Sequence, residues 1–141
     1  VETDTSALCI VGSSNQVFPF EHWREKWARF PKSKERLIKL LKAYPDKKIL
    51  FISGDRHYGD ISKIDGILQT SLFEVTSSGM THYKSPFWFY AGLEKNRYRV
   101  SKPWIGLNFG VIDIDATKNP IKISMNICDK EGFVRIKAKT E

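Results

Sequence analysis

Lys48-Ile49-Leu50-Phe51-Ile52-Ser53-Gly54-Asp55-Arg56-His57 is the stretch on which the reading of the fold turns. It begins as an apolar run of β-branched and aromatic residues. It stops at Gly54 and then presents a carboxylate and an imidazole two residues apart. A short apolar run bounded by turn residues reads as a strand buried on both faces. Such strands belong to sheets with layers on either side, and open α/β sheets place ligands outside the carboxyl ends of their strands. Asp55 and His57 can face one cleft if the chain turns between them. Gly54, which lacks a Cβ, is the residue expected to make that turn.

Working backwards, Leu8-Cys9-Ile10-Val11-Gly12 reads as an earlier buried strand. The segment from Phe18 to Phe30 is polar and aromatic, part of it helical, and Pro31 is expected to close it. Ser33 is the expected N-cap of a helix whose Leu37, Leu40, Leu41 and Tyr44 recur on one face. Pro45-Asp46 ends it. The order strand, helix, strand predicts a βαβ-like unit with parallel strands.

Working forwards, Tyr58 to Gly66 reads as connection and Leu72-Phe73-Glu74-Val75-Thr76 as a strand. Met80 to Ile105 is thick with aromatics but has no steady period. Its aromatics are expected to pin a long connection to the core. The tail is clearer. Asn108 to Asp115 reads as a strand. Ile121, Ile123, Met125 and Ile127 alternate with polar residues, as do Val134, Ile136 and Ala138. With turns at Asn119-Pro120 and Asp129-Lys130-Glu131-Gly132, this predicts an antiparallel meander with one wet face.

At 141 residues the chain fits a single domain and can bury a core. No apolar run approaches the ~20 residues of a membrane-spanning helix. The chain opens Val1-Glu2-Thr3-Asp4, without Met and without a basic start or an apolar leader run, so it reads as a processed product or a fragment. The net charge of +7 suits an anionic partner, but the lysines are dispersed and equally suit a solvated surface. Cys9 and Cys128 form no C-x-x-C pair, which excludes zinc-ribbon and thioredoxin readings. Free buried thiols and a disulfide both stay open.

Three blocks carry more than composition does. Ile52-Ser53-Gly54-Asp55-Arg56-His57, Glu74-Val75-Thr76-Ser77-Ser78-Gly79 and Asn108-Phe109-Gly110-Val111-Ile112-Asp113 follow one another, preceded by Trp27-x-x-Phe30-Pro31 and Arg36-Leu37. In order and spacing they resemble the PhoD-like (alkaline phosphatase D-like) metallophosphatases of the calcineurin-like metallophosphoesterase superfamily. The resemblance runs from about Leu8 to Asp129.

It implies an α/β (α+β) fold: the C-terminal part of a four-layer αββα sandwich, a βαβ unit followed by an antiparallel meander. Residues 1–141 would form the C-terminal portion of a larger catalytic domain. The implied reaction is metal-dependent hydrolysis of phosphate mono- or diesters. Asp55 and His57 would be metal ligands, with Asp55 standing where the superfamily usually has a His. The cofactors would be two or more ions of iron, calcium, manganese or zinc.

A two-metal site lets the ions clamp a phosphoryl group and generate hydroxide near neutral pH. Arg56 would contact phosphate through its planar fork, or else pair with a carboxylate. His82 would line the substrate pocket. His22 and Glu25 are weaker candidates. A dinuclear centre needs about six protein ligands or more. The rest are expected from an N-terminal remainder of the same domain, whose absence would leave one flank of the central sheet unpaired. The resemblance also implies a secreted or membrane-associated enzyme. Two other readings compete. One is a basic, aromatic-rich module gripping single-stranded nucleic acid around Tyr83 to Trp104, the less favoured because it leaves the Gly-Asp-x-His block unexplained. The other is an inactive family member that keeps the scaffold.

Overall fold

The computed structural model describes residues 6–87 and 94–140. Their elements are β1 (Cys9–Ser13), a 3-10 turn (Trp27–Arg29), α1 (Pro31–Ala43), β2 (Ile49–Ser53), β3 (Gly59–Ile64), β4 (Leu72–Ser77), β5 (Asn108–Asp115), β6 (Lys122–Asp129) and β7 (Val134–Lys139). The class is mixed α/β, with two sheets and one α-helix among the described residues. The first sheet runs β1-β2-β4-β3 and the second β5-β6-β7.

β1, β2 and β4 are parallel, with Cys9 opposite Ile49 and Ser53 opposite Thr76. Parallel neighbours need a crossover, and α1 supplies the one between β1 and β2. β3 runs antiparallel to β4. It falls where the sequence reading placed only connection. Its polar residues Asp60 and Ser62 masked the strand, because they are buried in a hydrogen-bonded layer rather than exposed. The free side of β3 is covered by residues 98–104, whose backbone bonds to Gly59, Ile61 and Lys63.

Helix α1 starts earlier than expected. Pro31 is its first residue and Phe30 its N-cap, so Ser33 lies inside the first turn. Pro is suited to that place because its missing N–H has no intrahelical partner there. The stripe that faces the core is Leu41, buried, with Leu37 and Ile38 part-buried, while Leu40 is 46 % exposed. The rest of the expected face holds, with Leu41 buried and Leu37 and Tyr44 part-buried; Ile38 packs where Leu40 was expected.

Two cores flank the first sheet. Phe51, Leu72 and Ile64 meet α1, Val17 and Phe18 on one side. Leu50, Ile61, Phe73 and Val75 meet Ile123, Met125, Ile127 and Ile136 of the second sheet on the other. The layers are therefore helix, sheet, sheet. The antiparallel meander forms as expected except at Val134, expected inside but 53 % exposed, next to a register shift at Ile127/Cys128. The β6–β7 turn has Gly132 at φ +89, and its Glu131 and Phe133 N–H groups donate to the Asp129 carboxylate. Cys9 and Cys128 are both free thiols. β2 departs from full burial at one place: Ile52 is partly exposed, in an apolar cleft beside Phe109 and Ile112. No helix among the described residues is long and apolar enough to cross a membrane.

Candidate functional site

The helix-facing side of the first sheet changes character along its strands. At the amino end it shows Ile49, Phe51 and Leu72. At the carboxyl end it shows Ser53, Glu74 and Thr76. Glu74 is fully buried and accepts the backbone N–H of Val17 at 2.8 Å and of Phe18 at 3.1 Å. Burial pushes its carboxyl above the usual range against those two amides. Gln16 donates to the Thr76 hydroxyl at 2.9 Å, and Ser53 and Thr76 share another bond at 2.9 Å. On β3, Asp60 accepts from Arg99 Nε at 2.8 Å and from Asn96 Nδ2 at 3.2 Å. This polar layer is the floor under the site loops.

Because β2 and β4 are parallel and in register, their carboxyl ends lie side by side. Ser78, just past β4, reaches across to the loop after β2. Its hydroxyl accepts from the backbone N–H of Arg56 at 3.0 Å and of His57 at 2.8 Å. That bond pair holds a bent backbone. The turn's left-handed residues are Asp55 at φ 64 and His57 at φ 57, not the expected Gly54. Asp and His tolerate that region better than most residues, at a cost of about 1–2 kcal/mol each. The following segment is tied a second time, by Lys84 N–H donating to the His57 carbonyl at 2.8 Å. Gly79 is required between the ties, since a Cβ there would stand 2.0 Å from Asn108 Nδ2.

Asp55, Arg56 and His57 line one cleft of about 440 Å³, shared with Trp23, Arg29 and Lys84. Asp55 is exposed and His57 half-buried at its rim. The Arg56 side chain is 2 % exposed and ion-pairs with Glu94, so of its two readings the structure takes the carboxylate pair. Lys84 Nζ meets the other Glu94 oxygen at 2.5 Å. Burial pushes the Glu94 carboxyl up, but the Lys84 hydrogen bond and the Arg56 charge outweigh it and hold it below the usual range. His82 does not line this cleft; its Nε2 stands 3.2 Å from His57 Nε2. Partial burial and the neighbouring His82 ring lower the His57 pKa. Glu25 lines the cleft. His22 is 1 % exposed, with neither ring nitrogen partnered among the described residues.

Comparison with protein-family models and with curated proteins gave no match.

Among the described residues no group of three or more His, Cys, Asp or Glu side chains is gathered closely enough to hold a metal ion. What the chain itself gathers is an imidazole pair with an exposed carboxylate two residues away. Of the aromatics in the long connection, Tyr98 and Trp104 pack against the two cores, while Tyr83 and Phe87 are exposed. Trp88, Phe89 and Tyr90 lie outside the described residues. Sequence reasoning missed Glu94, Lys84 and the anchoring role of Ser78. Ser78 could have been found from the pairing of its strand with β2. Glu94 sits in a segment without period and carried no signal.

Proposed function

We propose that this chain carries part of the active site of a metal-dependent phosphoesterase of the PhoD-like type. The observation that carries the reading is the delivery of Asp55 and His57, from the end of one interior strand, to a cleft whose walls include Arg29 and Lys84. A cation-binding pair inside a partly basic recess suits a phosphate ester, mono or di. In this reading Asp55 and His57 hold metal, one of two or more ions drawn from iron, calcium, manganese and zinc. Bound there, such ions would polarise the phosphoryl group and supply a hydroxide nucleophile.

The chain's own residues have definite tasks. Ser78 fixes the backbone that presents Asp55 and His57. Glu94 immobilises Arg56 and Lys84 against the cleft wall. His82, beside His57, is in reach of whatever His57 holds.

The finer fold assignment belongs to the same proposal. Helix, sheet and sheet would be three layers of the αββα sandwich. Among the described residues β1 pairs only with β2 and β5 only with β6, and both border the apolar cleft of about 420 Å³ at Ile52 and Phe109. These open edges would accept strands from the polypeptide that supplies the fourth layer and the missing ligands.

The test is hydrolysis of p-nitrophenyl phosphate and of bis(p-nitrophenyl) phosphate by the full polypeptide that carries these residues. Activity should fall with a chelator, return with metal, and drop by about 100-fold or more in His57→Ala. Turnover indifferent to both the chelator and His57→Ala would refute the reading.

A further inference from the structure

His57 and His82 lie on different loops, 25 positions apart, yet their Nε2 atoms approach to 3.2 Å. The rings meet edge to face with centroids 4.0 Å apart. Two neutral imidazoles so placed share one N–H···N bond, or turn both Nε2 lone pairs towards a common cation. The spacing fits the second use. Two nitrogens each about 2.05 Å from one ion stand about 3.3 Å apart at a tetrahedral angle and about 2.9 Å apart at a right angle. The observed distance lies between these values.

The tautomer is also provided for. His82 Nδ1 stands 2.9 Å from Thr81 Oγ1, an acceptor for Nδ1–H. With its proton there, the Nε2 lone pair faces His57. Metal-binding histidines commonly use their second nitrogen in this way. Nor is the approach that of a loose loop. His82 lies between Ser78 and Lys84, and both of those residues are bonded to the backbone of the His57 loop. The pair is accessible to solvent, so an ion can enter.

We propose that His57 and His82 bind the same cation, with His82 an inner-sphere ligand, and that this ion is a first-row transition metal rather than calcium or magnesium. The inference deepens the metal-dependent reading and rests on it. Calcium and magnesium take oxygen donors, whereas imidazole suits zinc, iron, nickel and copper. A paired-imidazole site therefore rejects the hard cations that Asp55 alone would accept. His82 then acts on the metal rather than as a separate contact to substrate.

The full polypeptide that carries these residues is titrated with Co2+ and followed by its visible absorption, alongside His57→Ala and His82→Ala. Each substitution should weaken cobalt binding by about tenfold or more. A roughly hundredfold excess of Ca2+ should leave the wild-type band in place. His82 is exposed, so its variant should keep the far-ultraviolet circular dichroism of the parent; His82→Gln, which retains bulk, is the second variant. If His82→Ala and His82→Gln bind as wild type while His57→Ala does not, His82 is no ligand, and the metal-dependent reading stands without it. If His57→Ala also binds as wild type, or the wild type binds no cobalt, both fall. Displacement of cobalt by an equal concentration of Ca2+ overturns the metal preference.

Discussion

The two sheets solve burial in opposite ways. The second sheet packs an apolar face on the first: Ile123, Met125, Ile127 and Ile136 point inwards, and its buried polar side chains, Asn108 and Asp129, stand at strand ends. The first sheet buries Glu74, Asp60, Ser62 and Thr76 in its interior, and partners them mainly from loops, with Ser53 of β2 a strand partner of Thr76. The loops that do this, at residues 16–18 and 94–99, are pinned by the carboxylates they serve. Chemistry-bearing loops cross the same end of the sheet. A polar floor thus fixes loop positions more strictly than apolar contact would, since hydrogen bonds have direction and dispersion does not.

That contrast can be attacked from either side. The largest loss is expected in the polar half. Arg56→Ala strands the Glu94 carboxylate with Lys84 alone and should cost about 4 kcal/mol in urea unfolding, as broken buried pairs do. The triple change Arg56→Met, Glu94→Leu and Lys84→Met should recover much of it, because all three members of the charge cluster are removed together. If the single change proves mild, the polar layer is not the rigid half. In the apolar half, Met125→Ala opens a void where the side chain is fully buried, and about 3 kcal/mol should be lost. Cobalt affinity should not change in that variant, since the core of the second sheet does not hold the site loops.

A smaller effect is expected at the junction. Ser78→Ala orphans the N–H groups of Arg56 and His57 and should cost about 1–2 kcal/mol. Unlike Met125→Ala it should also weaken metal binding, because two left-handed residues lose their restraint. Equal cobalt titrations for the Ser78 and Met125 variants would erase the distinction between the halves.

The last prediction is a slope. Burial, then the Arg56 charge, push the His22 pKa down to about 3. In the unfolded chain it returns to about 6.5. Between those values the unfolded state binds a proton that the folded state does not, so stability falls as pH drops through that window. The difference in urea midpoint between pH 7 and pH 5 should shrink in His22→Phe. A difference unchanged by the substitution would mean that His22 is not held neutral.

Much of this was open to inspection in the residues. The meander was readable because Ile123, Met125 and Ile127 keep a strict period of two, and one wet face leaves that pattern clean. β2 and its parallel partner β1 were readable as strands because both are short apolar runs. β1 was expected to be buried and is not: it lies at the sheet edge with no buried residue and Ile10 46 % exposed. β3 was not readable, since Asp60 and Ser62 look like surface residues until Asn96 and Arg99 arrive from far along the chain. On α1 Leu37, Leu41 and Tyr44 were read correctly, while Leu40 was taken for a core position that Ile38 fills; the two are equally apolar, so side-chain type could not choose between them. The site divides along the same line. Asp55 and His57 were legible as neighbours in sequence, whereas their left-handed backbone was credited to Gly54.

What the sequence by itself determined is the set of local patterns: which apolar runs are strands, the body of α1, and which two side chains follow the Gly54 stop. Each is decided within a few residues by side-chain size, period and polarity. What only the tertiary structure decided is who meets whom. Ser78 on the His57 backbone, Glu94 between Arg56 and Lys84, and His82 against His57 are contacts between distant segments. They follow from the parallel register of β2 and β4, which brings two carboxyl ends and their loops into one place. Periodicity along a chain carries no information about such meetings, because it records the face a residue shows and not the partner waiting there.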